Sequence, residues 1–172
     1  MLFLVAIVAG VLGGLAVGGR LDNLARLQFH WPWLVPLAVV AREVVLVTPL
    51  NRVDGAQYVY LFALLALIVW TLWNFNRVPV IWMVTIGAVL NVLVIVANAG
   101  RMPVAQQFAG PLNGGAIGQY VVMSSSTQLN ALGDWIPMFG APAAVSVGDL
   151  FIAIGLALAL FIATATPARI VS

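Results

Sequence analysis

Cysteine and lysine are both missing from this chain of 172 residues, and charge of either sign is scarce. Without cysteine there are no disulfides, no thiolate metal sites and no cysteine nucleophiles. A single histidine, His30, leaves no multi-histidine metal or haem site, so no metal centre is expected. Five acidic residues stand against seven basic ones, all arginine, so that 7 % of residues are charged. Soluble domains carry about a quarter. The net charge of +2 is too small for a nucleic-acid footprint despite a pI near 9.7, and no nucleic-acid partner is expected. Arginine suits bidentate contact with phosphate or carboxylate, but a GC-rich genome would leave the same bias without any function.

What the chain has in abundance is apolar length. Hydrophobic residues make up 63 % of it, and five long apolar runs cover Leu2 to Gly18, Trp33 to Leu50, Tyr58 to Trp73, Val78 to Val96 and Val145 to Ala165. Each approaches or exceeds the roughly 17–25 residues a helix needs to cross about 30 Å of hydrocarbon. The expected fold is therefore an all-α integral membrane bundle of about five transmembrane helices, spans 2–18, 33–50, 58–73, 78–96 and 145–165, in a single membrane domain 1–172. A long, mostly irregular outer loop is expected over 101–144, and no room remains for a separate soluble catalytic domain. No basic residue precedes Leu2 and the first positive charge is Arg20, so the first run reads as a retained span and not a cleaved signal peptide.

Arginine placement orients the spans. Arg20, Arg26, Arg77 and Arg169 fall on one side and Arg52 and Arg101 on the other, which predicts the first set as cytoplasmic. Met1 then lies outside and Ser172 inside. Trp31, Trp33, Trp73 and Trp82 would form an inner aromatic belt, and the turn Asn74-Phe75-Asn76-Arg77 would make an antiparallel hairpin of the third and fourth spans. Gly10, Gly14 and Gly18 recur every fourth residue and share one helical face, widened by Gly13 and Gly19. Such a face lets a neighbouring backbone approach closely, either a helix of the same chain or one of a partner subunit.

The polar residues inside the runs are the candidates for function. Arg42 and Glu43 sit near the middle of the second run, where a centred arginine costs about 2.5–3.5 kcal/mol. Adjacent helical positions point about 100° apart, so the two are not expected to pair face to face, and partners must come from elsewhere. Asn91 and Asn98 are the nearest in-chain prospects; a lipid phosphate for Arg42 and a basic group for Glu43 are the external ones. A helix shifted to Leu27–Ala41 would instead place the pair at the outer headgroups. Asn91 and Asn98 lie seven residues apart on one face and would staple the fourth span to the second, or else line a small polar cavity or quinone-headgroup pocket that Thr48 and Gln57 could join on the outer side; Arg101 is a further polar candidate. Ser146 followed three residues later by Asp149 has the spacing of a capping box that opens the fifth span. No catalytic constellation is found: His30 is assigned to the inner side and Ser124, Ser125 and Ser126 to the outer, and no paired carboxylates or phosphate-cradling glycine loop occur.

Four stretches carry a family resemblance: Gly18-Gly19-Arg20-Leu21, Asn98-Ala99-Gly100-Arg101-Met102-Pro103-Val104, Gly133-Asp134-Trp135-Ile136-Pro137 and Ser146-Val147-Gly148-Asp149. With these the chain resembles a bacterial domain-of-unknown-function family of small five-span integral membrane proteins, the Gly-Arg-Met-Pro-Val stretch after the fourth span being the most distinctive piece. The resemblance implies a multi-pass protein of the bacterial cytoplasmic (inner) membrane and supplies no activity to carry over.

Two functions fit these observations. One is a non-catalytic accessory or scaffolding subunit of a larger bacterial membrane complex, respiratory or photosynthetic, whose partners are membrane lipids and other membrane subunits. The other is a binder or carrier of a small molecule, a lipid or a quinone, through Arg42, Glu43, Asn91 and Asn98. In either case the chain alone is expected to hold no cofactor beyond a bound lipid or quinone and to catalyse no reaction.

Overall fold

The fold is given by a computed structural model, which describes residues 1–25, 28–53, 55–110, 116–138, 140 and 143–166. Arg26, Leu27, Arg169 and Ser172, which entered the orientation and register arguments above, lie outside the described residues. The helices are α1 (Leu2–Ala16), the short α2 (Leu21–Leu24), α3 (Leu34–Val47), α4 (Gln57–Trp73), α5 (Trp82–Ala97) and α6 (Val147–Ala165). The five longer ones coincide with the five apolar runs, and turn residues claim the ends of several runs. Pro49–Arg52, for example, closes the second run as a 3-10 turn. The alternative helix ending at Ala41 is not found, since α3 continues to Val47. Among the described residues α6 is the one helix both long and apolar enough to cross a membrane; α1, α4 and α5 are apolar but shorter.

The longer helices stand in a row, in the order α1–α6–α5–α4–α3. Small residues set the closest crossings. Gly10 and Gly14 of α1 lie against Ala157 and Thr164 of α6, and a methyl group added at Gly14 would come within 2.6 Å of Thr164 Cβ. Gly87 of α5 meets Gly148 and Ile152, and Gly155 of α6 meets Met83 and Val84. Gly18 departs from the expected packing face. It has φ +90° and an added methyl group would meet nothing within 4 Å, so it serves the turn after α1, and Gly19 takes the contact with Thr164.

The stretch between α5 and α6 is more ordered than the irregular loop expected. Strands β1 (Met102–Val104), β2 (Ala116–Ile117) and β3 (Tyr120–Val122) form a sheet in the order β1-β3-β2, with β1 parallel to β3 in the register Met102↔Tyr120. Strands β4 (Ile136–Pro137) and β5 (Ala144–Val145) form an antiparallel pair. Strands of two or three residues are too short to display a two-residue alternation, and β1 is buried at all three positions, so no sequence signal marked them. This cap rests on α5 through β1, and through the turn Asn130–Leu132 on α5 and α6.

The interior combines an apolar core, Leu64, Ile81, Val94, Ile95 and Met102 among its members, with several buried polar side chains. Thr71, Asn74, Asn91, Ser146 and Thr164 are fully buried, while Leu4, Leu12, Val40, Phe62, Leu72, Leu93 and Leu158 are among the large apolar side chains that face outward. Thr85 donates to Thr71 Oγ1 at 2.9 Å between α5 and α4.

Candidate functional site at the junction of helices and cap

Arg42, on α3, is where the helices and the cap meet. Its guanidinium donates to Glu43 through Nη1, donates to the Tyr120 hydroxyl of β3 at 3.2 Å through Nη2, and lies 4.8 Å above the ring of Tyr60 on α4. One cation thus binds two helices and the sheet, and an aromatic face supplements the hydrogen bonds. The expectation that Arg42 and Glu43 would not pair is overturned. Their Cα–Cβ directions do diverge, but arginine's long stem carries its fork round the helix to the neighbouring carboxylate. Asn91 and Asn98 are not the partners either.

Those two asparagines hold other things together. Asn91 Nδ2 donates to Asp149 Oδ1 at 2.9 Å, and Ser146 Oγ donates to Asn91 Oδ1 at 2.8 Å, so Asn91 ties α5 to the start of α6 and not to the second span. Ser146 and Asp149 form the predicted capping box: the Asp149 N–H donates to Ser146 Oγ at 2.9 Å and the Ser146 N–H to Asp149 Oδ2 at 3.3 Å. Asn98 grips the cap with both ends of its amide. Its Nδ2 donates to Gln128 O at 2.9 Å, and its Oδ1 accepts from the Gln128 N–H at 2.8 Å. Arg101 works within the cap, its Nε donating to Gly118 O at 3.2 Å.

Asp134 is the titratable group that composition alone did not single out. Its backbone is clasped by β1, the Asp134 N–H donating to Pro103 O at 2.8 Å and the Ala105 N–H to Asp134 O at 2.9 Å. The side chain is buried, the residue being 7 % exposed, and Oδ1 has no hydrogen-bond partner among the described residues. Burial pushes its carboxyl up to about 8, the nearby Asp149 charge adds to the rise, and Arg42 opposes it. Burial likewise raises the Tyr120 phenol, against the pull of Arg42. An arginine shared among a carboxylate, a phenol and an aromatic face is a fixed positive charge. It supplies no nucleophile and no base.

At the opposite end of the helices His30 serves through its backbone. Its N–H donates to Asn74 Oδ1 at 2.8 Å and its carbonyl accepts from Trp70 Nε1 at 2.8 Å, which pins the approach to α3 onto the α4–α5 hairpin. Trp31 stacks on Trp33 and Trp73 with ring centroids 6.1 and 5.2 Å away. Ser124 and Ser126 hydrogen-bond each other at 2.8 Å. Among the described residues no three histidine, aspartate or glutamate side chains converge as a metal site would require.

The model of a family of unknown function, DUF5317, matches residues 26–161. The chain belongs to this family. The match takes in the Arg42 cluster, the cap and most of α6, and leaves out α1 with its glycine face. A relative described as an uncharacterised protein of Thermotoga maritima is 24 % identical over 156 residues, covering 89 % of this chain and 84 % of its own. No solved structure matches.

Proposed function

We propose that this member of DUF5317 is a five-helix protein of the bacterial cytoplasmic membrane, with Met1 outside, and that it serves as a non-catalytic accessory or scaffolding subunit of a larger membrane complex. The observation that carries the reading is the apolar outer surface of the long helices, which stands in addition to an apolar core. Val5, Leu12, Val39, Phe62, Val69 and Leu93 are among the apolar side chains that face outward, while Thr71, Asn91, Ser146 and Thr164 are sealed inside. Water-soluble monomers rarely leave apolar patches above a few hundred Å² uncovered, whereas lipid welcomes such a surface and small residues and buried hydroxyls then hold the helices together. At about 1.5 Å per residue, α6 with its 19 residues reaches about 28 Å. The shorter α1, α4 and α5 suit a locally thinned bilayer or spans completed by their flanking turns.

The subunit role rests on the open row. Its end helices α1 and α3 each lean on one long neighbour, which leaves lateral faces for other subunits. The Arg42 cluster supports the same role, because its bonds clamp the cap to the helices. The lipid or quinone alternative has one observation in its favour, an apolar groove of about 290 Å³ between α3 and α4, lined by Leu34, Leu37, Ala38, Ala41, Phe62 and Ala63. Those walls suit an acyl or isoprenoid tail and offer nothing to orient a polar head. Extraction with alkaline carbonate tests the membrane reading, since a protein that leaves with the supernatant is not embedded. Purification in mild detergent tests the subunit reading. A stoichiometric membrane partner is expected, and a chain that runs alone under every mild condition is no accessory subunit.

A further inference from the structure

We propose that Asp134 is a proton-operated latch: neutral, it closes the seam between β1 and the turn that leads to β4; ionised, it opens that seam and admits water to the Arg42 cluster. The geometry offers the ionised form no compensation. Asp134 is 7 % exposed and its Oδ1 has no hydrogen-bond partner among the described residues, with which it also forms no ion pair. Its backbone is bonded to β1 on both sides, the Asp134 N–H donating to Pro103 O and the Ala105 N–H to Asp134 O. Gly133 beside it leaves no slack, since a methyl group added there would come within 2.6 Å of Pro103 O. The carboxylate therefore reaches water only by parting its segment from β1. Left inside without a partner, it would carry the full cost of a buried charge.

The groups that face Asp134 work in the same direction. Asp149 at the start of α6 repels its charge, and the attraction of Arg42 on α3 is the weaker of the two. That arginine is already bonded to Glu43 and Tyr120. Both Asp149 oxygens accept hydrogen bonds, one from Asn91 Nδ2 and the other from the Ser146 N–H, as a carboxylate's do. Of the two acids it is thus Asp134 that holds the proton. Tyr60 of α4 and Tyr120 of β3 lie within range of its charge, and α5 brings no titratable side chain. Val104, bridged to Asp134 and packed with Tyr120, lies just behind the seam.

The test uses the full chain in detergent micelles, with single cysteines introduced into a sequence that has none and a methanethiosulfonate reagent to modify them. Val104→Cys reports the seam, and Thr71→Cys, fully buried about three turns along α4 from Tyr60, reports the helices. The exposed Ser125→Cys supplies the unhindered rate at each pH. The proton is held more tightly when the seam is closed, so opening is suppressed at low pH. The Val104→Cys rate relative to Ser125→Cys is expected to rise by up to about tenfold per pH unit from pH 5, and to level off at about 8, where the buried carboxyl titrates. Thr71→Cys should stay protected throughout, and Asp134→Asn, neutral and of the same size, should keep Val104→Cys slow at every pH. A seam rate flat with pH, a rise that survives Asp134→Asn, or a Thr71→Cys rate that climbs in step with the seam overturns the proposal. Should Asp134→Asn unfold, shown by fast Thr71→Cys modification, Asp149→Asn decides. Removing that neighbouring charge should bring the plateau to lower pH, and an unmoved plateau overturns the latch. None of these outcomes depends on a partner subunit, so the latch and the subunit reading stand or fall separately.

Discussion

Arg42 and Asp134 show how little a side chain's type says about its task until its neighbours are known. A centred arginine reads from the sequence as an expense to be met by a partner outside its own helix, Asn91, Asn98 or a lipid phosphate. In the folded chain its Nη1 and Nη2 donate to Glu43 and Tyr120 and its charge lies over the Tyr60 ring, while the buried Nε has no hydrogen-bond partner among the described residues. Tyr120→Phe removes the acceptor from a charge-assisted hydrogen bond and should lower stability by about 1–2 kcal/mol, seen as a lower midpoint of thermal unfolding in detergent. An unchanged midpoint would mean that the bond does not hold the cap. Asp134 gives a pH signature. Its carboxyl titrates at about 8 in the fold against 3.8 ordinarily, so the folded chain binds that proton more tightly across the interval. The stability it contributes is fully present below pH 3.8 and is lost as pH rises through about 8. Unfolding midpoints should therefore fall from about pH 5 to about pH 8.5, and Asp134→Asn should flatten that slope. A parent and variant with parallel pH profiles would show that another group is responsible.

Helix termini and crossings carry the next layer of stability. The box that opens α6 is coupled to Asn91 on α5, so Asp149 serves both a cap and an interhelical bond. Asp149→Ala should remove both and cost about 1–3 kcal/mol. Asp149→Asn, which keeps an acceptor for the Ser146 N–H, should cost less. Equal losses for the two substitutions would mean that the charge, and not the hydrogen bonding, is what matters there. The glycines of α1 and the turn after it divide into two kinds. At Gly14 a larger side chain meets Thr164 and the Phe161 carbonyl, so Gly14→Val should overpack the α1–α6 crossing by about 1–3 kcal/mol. At Gly18 there is room, and Gly18→Ala should show only the roughly 1 kcal/mol of a left-handed backbone.

The open row makes a prediction about the entire molecule. The chain has no native cysteine, so introduced pairs can be read cleanly. Thr71→Cys with Thr85→Cys, replacing hydroxyls 2.9 Å apart on α4 and α5, should cross-link under mild oxidant. Leu12→Cys with Val40→Cys, on the two end helices, should not. A cross-link between the latter pair within one chain would mean that the row closes into a ring, and the lateral faces assigned to partners would be gone.

The apolar runs determine where the long helices form, because a stretch of that length and hydropathy has few other ways to satisfy its backbone. The serine and aspartate three apart determine the start of α6, and the spacing of Gly10 and Gly14 determines which side of α1 packs, since both signals act within a turn or two of helix. Gly18 shares that spacing but lies past the helix end, where periodicity no longer governs. The rest was decided by contacts between distant residues. Arg42 finds Tyr120 across 78 positions, Asn91 finds Ser146 across 55, and His30 finds Asn74 across 44. The strands of the cap are two or three residues long and exist through their partners alone. Local patterns write the elements into this chain; the order of the helices and the placement of each buried charge come only when those elements choose their neighbours.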